Sequence, residues 1–311
     1  MPAVTNPFTA ATWVMEPKPQ NIWGIPHASW FFAMGIGGAL FINRVLFDIE
    51  LGRLFGIALA DLLSMSLIAV GGLILIADLG KPLRVLRALM NPRTSWISVG
   101  AICDFIFLAV DGLWILADFE VGGSRPLASL PWAGDSPLGI FFQIIAGISA
   151  FIVIIYPGLV LAYSPSIPFW NTTLIPLQFL SFAFASALGV AFISALWTSV
   201  PDALLLQWLT AELSLLALTA LLLIAHLLNG STTHPAAKLS VRRLMRGELK
   251  NAFLIGTILL GFAVPALFIF YGLLLSSASF FLILSIGVMT IVGNWFSKYA
   301  VIRAGVFAPF F

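Results

Sequence analysis

The chain has 311 residues, 60% of them apolar and 9% charged, with a net charge of +2, three histidines and one cysteine. A mean hydropathy of +1.06 and apolar runs of roughly twenty residues exclude a water-soluble globular protein and point to an all-α integral membrane protein. Cys103 lies inside an apolar run, so this chain offers no disulfide framework and no cysteine-ligated iron–sulfur or zinc site, and the small net charge gives no sign of nucleic-acid binding.

Residues 1–28 carry no basic start followed by an apolar run and no twin arginine; they read as a retained tail with an interfacial approach to the first span. Spans are expected over about 29–47, 57–77, 96–117, 138–162, 174–197, 203–228, 252–274 and 280–295. That makes eight transmembrane helices in a domain of residues 29–298, followed by a tail over 299–311. The break between the last two spans rests on Ser276 and Ser277 alone.

An even number of spans places both termini on one face. Lys18, the cluster Lys81, Arg84, Arg87 and Arg93, the loop with Lys238, Arg242, Arg243, Arg246 and Lys250, and then Lys298 and Arg303 fall on that face. Only Arg44, Arg53 and Arg125 fall near the other. The positive-inside rule makes the termini and both basic loops cytoplasmic, in the inner membrane of the cell. A basic loop kept for binding a partner would give the same asymmetry. The first cluster, DLGKPLRVLRALMNPRTSW (Asp78 to Trp96), concentrates charge where the rest of the chain avoids it.

Candidate chemistry divides by depth. His27 precedes the first span on the basic face, where an imidazole can hydrogen-bond a quinone carbonyl or simply anchor beside Trp23 and Trp30 in an aromatic belt. Tyr156, late in the fourth span, is a phenolic donor at similar depth, and Asp78 can pair with Lys81 or Arg84. A deeper set comprises Arg44, Asp61, Asp104, Asp111 and Glu212; Asp104 and Asp111 are seven apart and share a helical face. Ionisable groups inside spans are candidates for proton relays, or for structural pairs such as Arg44 with Asp48 or Asp61. Three histidines exclude the two-haem, four-histidine arrangement, though His27 and His226 leave room for one axial pair.

The string GGLILIADLGKPLRVLRALMNPRTSWISVGA resembles the signature of NrfD-like membrane subunits, the family of the polysulfide reductase membrane anchor. WGIPHASWFFAMGIGGALF, YPGLVLAYSPSIPFWNTTLIPLQF and GNWFSKYAVIRAG agree with it in order, so the resemblance covers nearly the whole chain. It implies an NrfD-like eight-helix bundle without haem, binding quinone or menaquinone and docking a four-cluster iron–sulfur protein. That partner would connect to a molybdenum or tungsten catalytic subunit, as in anaerobic respiration, with this chain inactive alone. Carried over residue by residue, it implies a quinone pocket of His27, Trp23, Asn21, Tyr156, Asp78 and Arg87, with Lys81, Arg84 and Arg93 shaping the pocket and the docking face. Lys298 stands where the family commonly has arginine.

The reading that follows is a membrane anchor passing electrons between an iron–sulfur partner and the quinone pool. Asp104, Asp111, Asp61, Glu212 and Arg44 are expected to relay protons toward the opposite face. Membrane lipid is the further partner expected; the rival is a secondary transporter or proton-translocating channel without a redox partner, which buried carboxylates fit, but no internal repeat with matched broken helices is present.

Overall fold

Helix is the form in which an apolar segment satisfies its own backbone inside lipid, and eight helices here are long and apolar enough to cross a bilayer. The computed structural model describes residues 17–78, 89–276 and 279–308. The spans are α1 (Ile25–Phe47), α2 (Leu59–Asp78), α3 (Trp96–Ile115), α4 (Pro137–Ala162), α5 (Leu174–Ser194), α6 (Asp202–Thr232), α8 (Ala252–Leu274) and α9 (Phe280–Ala304). A shorter helix, α7 (Pro235–Met245), lies between α6 and α8.

The spans form two groups of four. α1 packs against α2 and α4, and α3 packs against α4 and α2; α5, α6, α8 and α9 form the second group. The seam is made by α1 and α4 against α5, and by α1 against α9. Small residues set this geometry, because backbones approach closely only where side chains are absent. A Cβ on Gly37 would stand 2.9 Å from the Ser64 carbonyl oxygen, and the Ser64 hydroxyl donates to the Gly37 carbonyl at 2.6 Å. Gly261 and Gly293 bring α8 and α9 together in the same way. Outward faces carry Leu73, Ile144, Leu221, Leu267 and Phe281, all exposed to what is lipid in a membrane.

Helix ends follow local chemistry. Ser95 and Ser136 cap α3 and α4, accepting from the Ser98 and Gly139 amides at 3.4 and 3.1 Å. A two-residue turn at Phe55–Gly56 joins β1 (Arg53–Leu54) to β2 (Ile57–Ala58). Gly56 has φ +80°, and a Cβ there would lie 2.4 Å from the Asp118 carbonyl oxygen, so only glycine fits. Glu50 pairs with Arg53 beside this hairpin. The hydrogen bond from Arg53 holds the Glu50 carboxyl below its ordinary range, against partial burial and aided by the Arg53 and Arg44 charges.

Three expectations change and one holds. α1 begins at Ile25, since Pro26 is tolerated in a first turn, so His27 lies within the helix and is buried rather than ahead of the span. α9 runs on to Ala304, which takes Lys298 from the membrane face into the interior, where it is 1% exposed. The second basic loop contains α7, with Ala236, Ala237, Ser240 and Leu244 turned inward and Arg242 and Arg246 outward. His234 caps that helix, its Nδ1 accepting from the Ala236 amide at 3.1 Å. The last break falls where expected: α8 ends at Leu274 and Ser276 has φ +51°, while Ser277 lies outside the described residues.

The segments just before α1 and just after α9 meet on one face. Gln20 donates its amide N–H to Gly305 O at 2.9 Å, and Phe307 donates to Lys18 O at 2.9 Å. The buried Gln20 side chain donates to Ile302 O and accepts from the Trp23 amide, both at 2.9 Å, which ties the segment before α1 to the end of α9.

Candidate functional site

His27, Trp30 and Met34 stand three and four residues apart on α1 and therefore share a face. Trp23, just ahead of the helix, stacks on His27 with ring centroids 4.8 Å apart and planes 16° apart. His27 Nε2 lies 3.3 Å from Asp78 Oδ2 at the end of α2. Deeper on the same face, Trp30 stacks on Tyr156 of α4 at 5.9 Å. The Tyr156 hydroxyl lies 3.0 Å from Met34 Sδ and 3.4 Å from Asp104 Oδ2 on α3. Tyr156 fits there because α3 has no side chain at Gly100, where a Cβ would lie 2.3 Å from the phenol ring.

Two groups placed at different depths by sequence reasoning thus meet. Asp104 joins Tyr156, whereas Asp111 lies farther along α3, seven residues and ~10 Å away. Three buried polar atoms around this cluster have no partner among the described residues: His27 Nδ1, Trp30 Nε1 and Asp104 Oδ1. Unpaired groups of this kind cost free energy unless a ligand or water meets them. Met34 and Gly100 were missed from sequence and Trp30 was read only as part of an aromatic belt, although the three-four spacing from His27 signals Trp30 and Met34.

Toward the opposite face a second cluster surrounds Arg44. Its guanidinium lies 3.6 Å from Asp61, 3.7 Å from Glu50 and 3.3 Å from Asp48, and 5.8 Å above the Trp114 ring. Asp111 is fully buried beside Asp61 and Arg44, and neither of its oxygens has a hydrogen-bond partner among the described residues. Asp61 and Asp78 sit near the two ends of α2, seventeen residues and ~25 Å apart. The ionisable groups of the first half therefore extend from one face toward the other.

Glu212 stands apart from that set. It is fully buried on α6 and faces Thr290 of α9, in the second half. His226 is also buried there, with Nε2 2.9 Å from the Phe169 carbonyl oxygen and its ring stacked on Phe169 at 4.4 Å. Both His27 and His226 thus have protein partners at Nε2. Asn21 and Arg93 are exposed near the face that carries the termini. Lys81, Arg84 and Arg87 lie outside the described residues.

Eight spans in two groups of four, with a buried aromatic and acidic cluster near one face, define a polytopic membrane protein with a polar internal site. The family model of NrfD, polysulphide reductase, matches residues 13–309, and the chain belongs to that family. NrfD proteins are membrane subunits of redox enzyme complexes; they interact with quinone and partner with iron–sulfur and catalytic subunits. A search of curated protein sequences finds no match.

Proposed function

We propose that this chain is the quinone-reactive subunit of a multi-subunit oxidoreductase, inactive alone, with its site at the Trp23–His27–Trp30–Tyr156–Asp104 cluster. The observation that carries this reading is the convergence of two proton-bearing pairs, His27 with Asp78 and Tyr156 with Asp104, on one face of α1. His27 Nδ1, Trp30 Nε1 and Asp104 Oδ1 lack partners and suit a ligand with carbonyl or hydroxyl oxygens, while Trp23, Trp30 and Met34 supply apolar surface for its ring. Quinone bound there supplies two-electron, two-proton chemistry. Tyr156 donates a hydrogen bond and Asp104 holds or receives its proton; Asp78 orients His27. Asn21, Arg87, Lys81, Arg84 and Arg93 belong, on this reading, to the mouth of the pocket and the docking face.

The partner is a four-cluster iron–sulfur protein that docks on the basic face and connects to a molybdenum or tungsten subunit. Arg242, Arg246 and Lys250, exposed on that face, favour an acidic docking surface. The excess of basic residues there makes it cytoplasmic, in the inner membrane. Asp111, Asp61 and Arg44 continue the polar line toward the opposite face and are assigned to proton transfer.

Purification in mild detergent, with quinone extraction and metal analysis of co-purifying proteins, tests the assembly. Iron, bound quinone and molybdenum or tungsten are expected; recovery of the chain alone, with solute flux in liposomes, would favour a transporter. Replacing Asp104 by Asn in the assembled complex is expected to slow quinone turnover by about tenfold or more. An unchanged rate removes Asp104 from the reaction.

A further inference from the structure

Thr290, Asn294 and Lys298 are four residues apart on α9 and form one stripe, ~12 Å long, buried throughout. Lys298 Nζ donates to Asn294 Oδ1 at 2.7 Å, and Asn294 Nδ2 donates to Ser186 Oγ of α5 at 2.7 Å. At the far end Glu212 faces Thr290, and both carboxylate oxygens and the Thr290 hydroxyl lack partners that meet hydrogen-bond geometry. Thr257 is a further buried, unpartnered hydroxyl on α8, next to Gly256, which packs on Phe296. It sits in a π-helical stretch, Ala252–Ala263, a geometry that recurs at functional sites.

Lys298 has three donor hydrogens and one hydrogen-bond acceptor given by the structure, so its remaining stabilisation comes from the Phe179 ring, 4.6 Å from Nζ. The helices packed on α9 offer little else. α5 has no ionisable residue and α8 has only Tyr271, which is exposed. α1 has His27 and Arg44, each beside its own carboxylates. α7 has Lys238, Arg242 and Arg243; α9 itself adds Tyr299 and Arg303. On α6, behind α5, Asp202 lies at the exposed start and His226 is held by Phe169 O, which leaves Glu212 as the interior carboxylate of this half.

Lys298 also adjoins the first site. A Cβ on Gly35 of α1 would lie 4.0 Å from its Nζ, and Phe179 packs on Phe31, which packs on Trp23. We infer that Lys298, beside the seam between the halves, and Glu212, within the second half, form a second proton-holding pair, exchanging a proton along the Asn294–Thr290 stripe through bound water. The proton leaves the Lys298 ammonium and is taken by the Glu212 carboxylate, giving an amine and a carboxylic acid with no change in net charge. The exchange leaves quinone chemistry to the first half and adds proton movement in the second; its coupling to turnover rests on the function proposed above.

The test uses the assembled complex in liposomes with quinone and a trapped pH-sensitive dye. Lys298→Arg keeps the positive charge but holds its proton, and Thr290→Val interrupts the stripe with little change of shape. Each, like Glu212→Gln, is expected to cut protons moved per quinone by about half or more while quinone turnover in detergent stays within about twofold. A wild-type proton yield in Lys298→Arg would show that the site needs only charge and would overturn the inference. Infrared spectroscopy supplies a readout independent of quinone. The carboxylic C=O band lost in Glu212→Gln is expected to change in Lys298→Arg, and an unchanged band would sever the pair. A complex that turned over no quinone would defeat the proposed function and leave this spectroscopic test standing.

Discussion

The two halves of the molecule bury polar atoms in different ways. In α1–α4 the buried polar groups are mostly ionisable and clustered: His27 beside the exposed Asp78, Tyr156 with Asp104, and Arg44 with Asp61 and its neighbours. In the second half they are mostly neutral and staple one helix to another. The Ser181 and Thr219 hydroxyls are hydrogen-bonded to each other, Gln178 donates to Leu222 O at 2.9 Å, and Asn294 joins α9 to α5. Neutral pairs hold helices together in lipid at modest energy, whereas charged groups are costly there and persist where chemistry uses them. The first half thus resembles a reaction site built on a scaffold, and the second a scaffold holding one ionisable pair.

The largest effect that would sharpen this contrast is expected from Tyr156→Phe. Loss of the hydroxyl is expected to slow quinone turnover about 100-fold in a complex that still assembles. Steady-state rates at saturating electron donor measure it, and a loss of less than about twofold would take the phenol out of the chemistry.

Next comes Arg44→Met, which strands Asp61, 3% exposed at its side chain, without its cation. A destabilisation of about 3 kcal/mol is expected, and Asp61→Asn added to it should recover part of that. Thermal unfolding in detergent decides; no recovery in the double variant would mean that the pair is not the source. Smaller again, Ser181→Ala in the second half is expected to cost about 0.6 kcal/mol and leave quinone turnover within about twofold. A large fall in turnover there would break the division of labour between the halves.

The smallest effect lies outside the membrane. Arg243 donates to Glu248 and holds that carboxyl below its ordinary 4.5, aided by the Arg243 charge. The pair's contribution is therefore complete above pH 4.5 and is lost as pH falls through the lower native value. Since Glu248 is largely exposed, Glu248→Gln is expected to cost no more than about 0.5 kcal/mol at neutral pH and nothing in acid. Unfolding midpoints at two pH values compare these; an equal loss at both would assign the effect to packing.

The eight spans were legible because a run of roughly twenty apolar residues has few stable forms in lipid other than a helix. Span ends were legible where Ser or Pro marks them, as at Ser95 and Ser136, and misplaced where the polar residue is tolerated inside, as at His27 and Lys298. The candidate residues of the site were also visible as ionisable groups near or within spans. Their grouping was not, because sequence spacing fixes neighbours on one helix and says nothing about which helix lies opposite.

Sequence alone therefore determined the fold class, the number of spans, the shared face of the termini and the family signature. Only the tertiary structure decided that Asp104 meets Tyr156, that Met34 and Trp30 complete their surroundings, and that Glu212 lies across the seam from the other carboxylates. The physical reason is close packing. Gly100 admits the Tyr156 ring, Gly37 admits α2, and Gly261 meets Gly293, so residues without side chains choose the helix partners that bring distant chemical groups together.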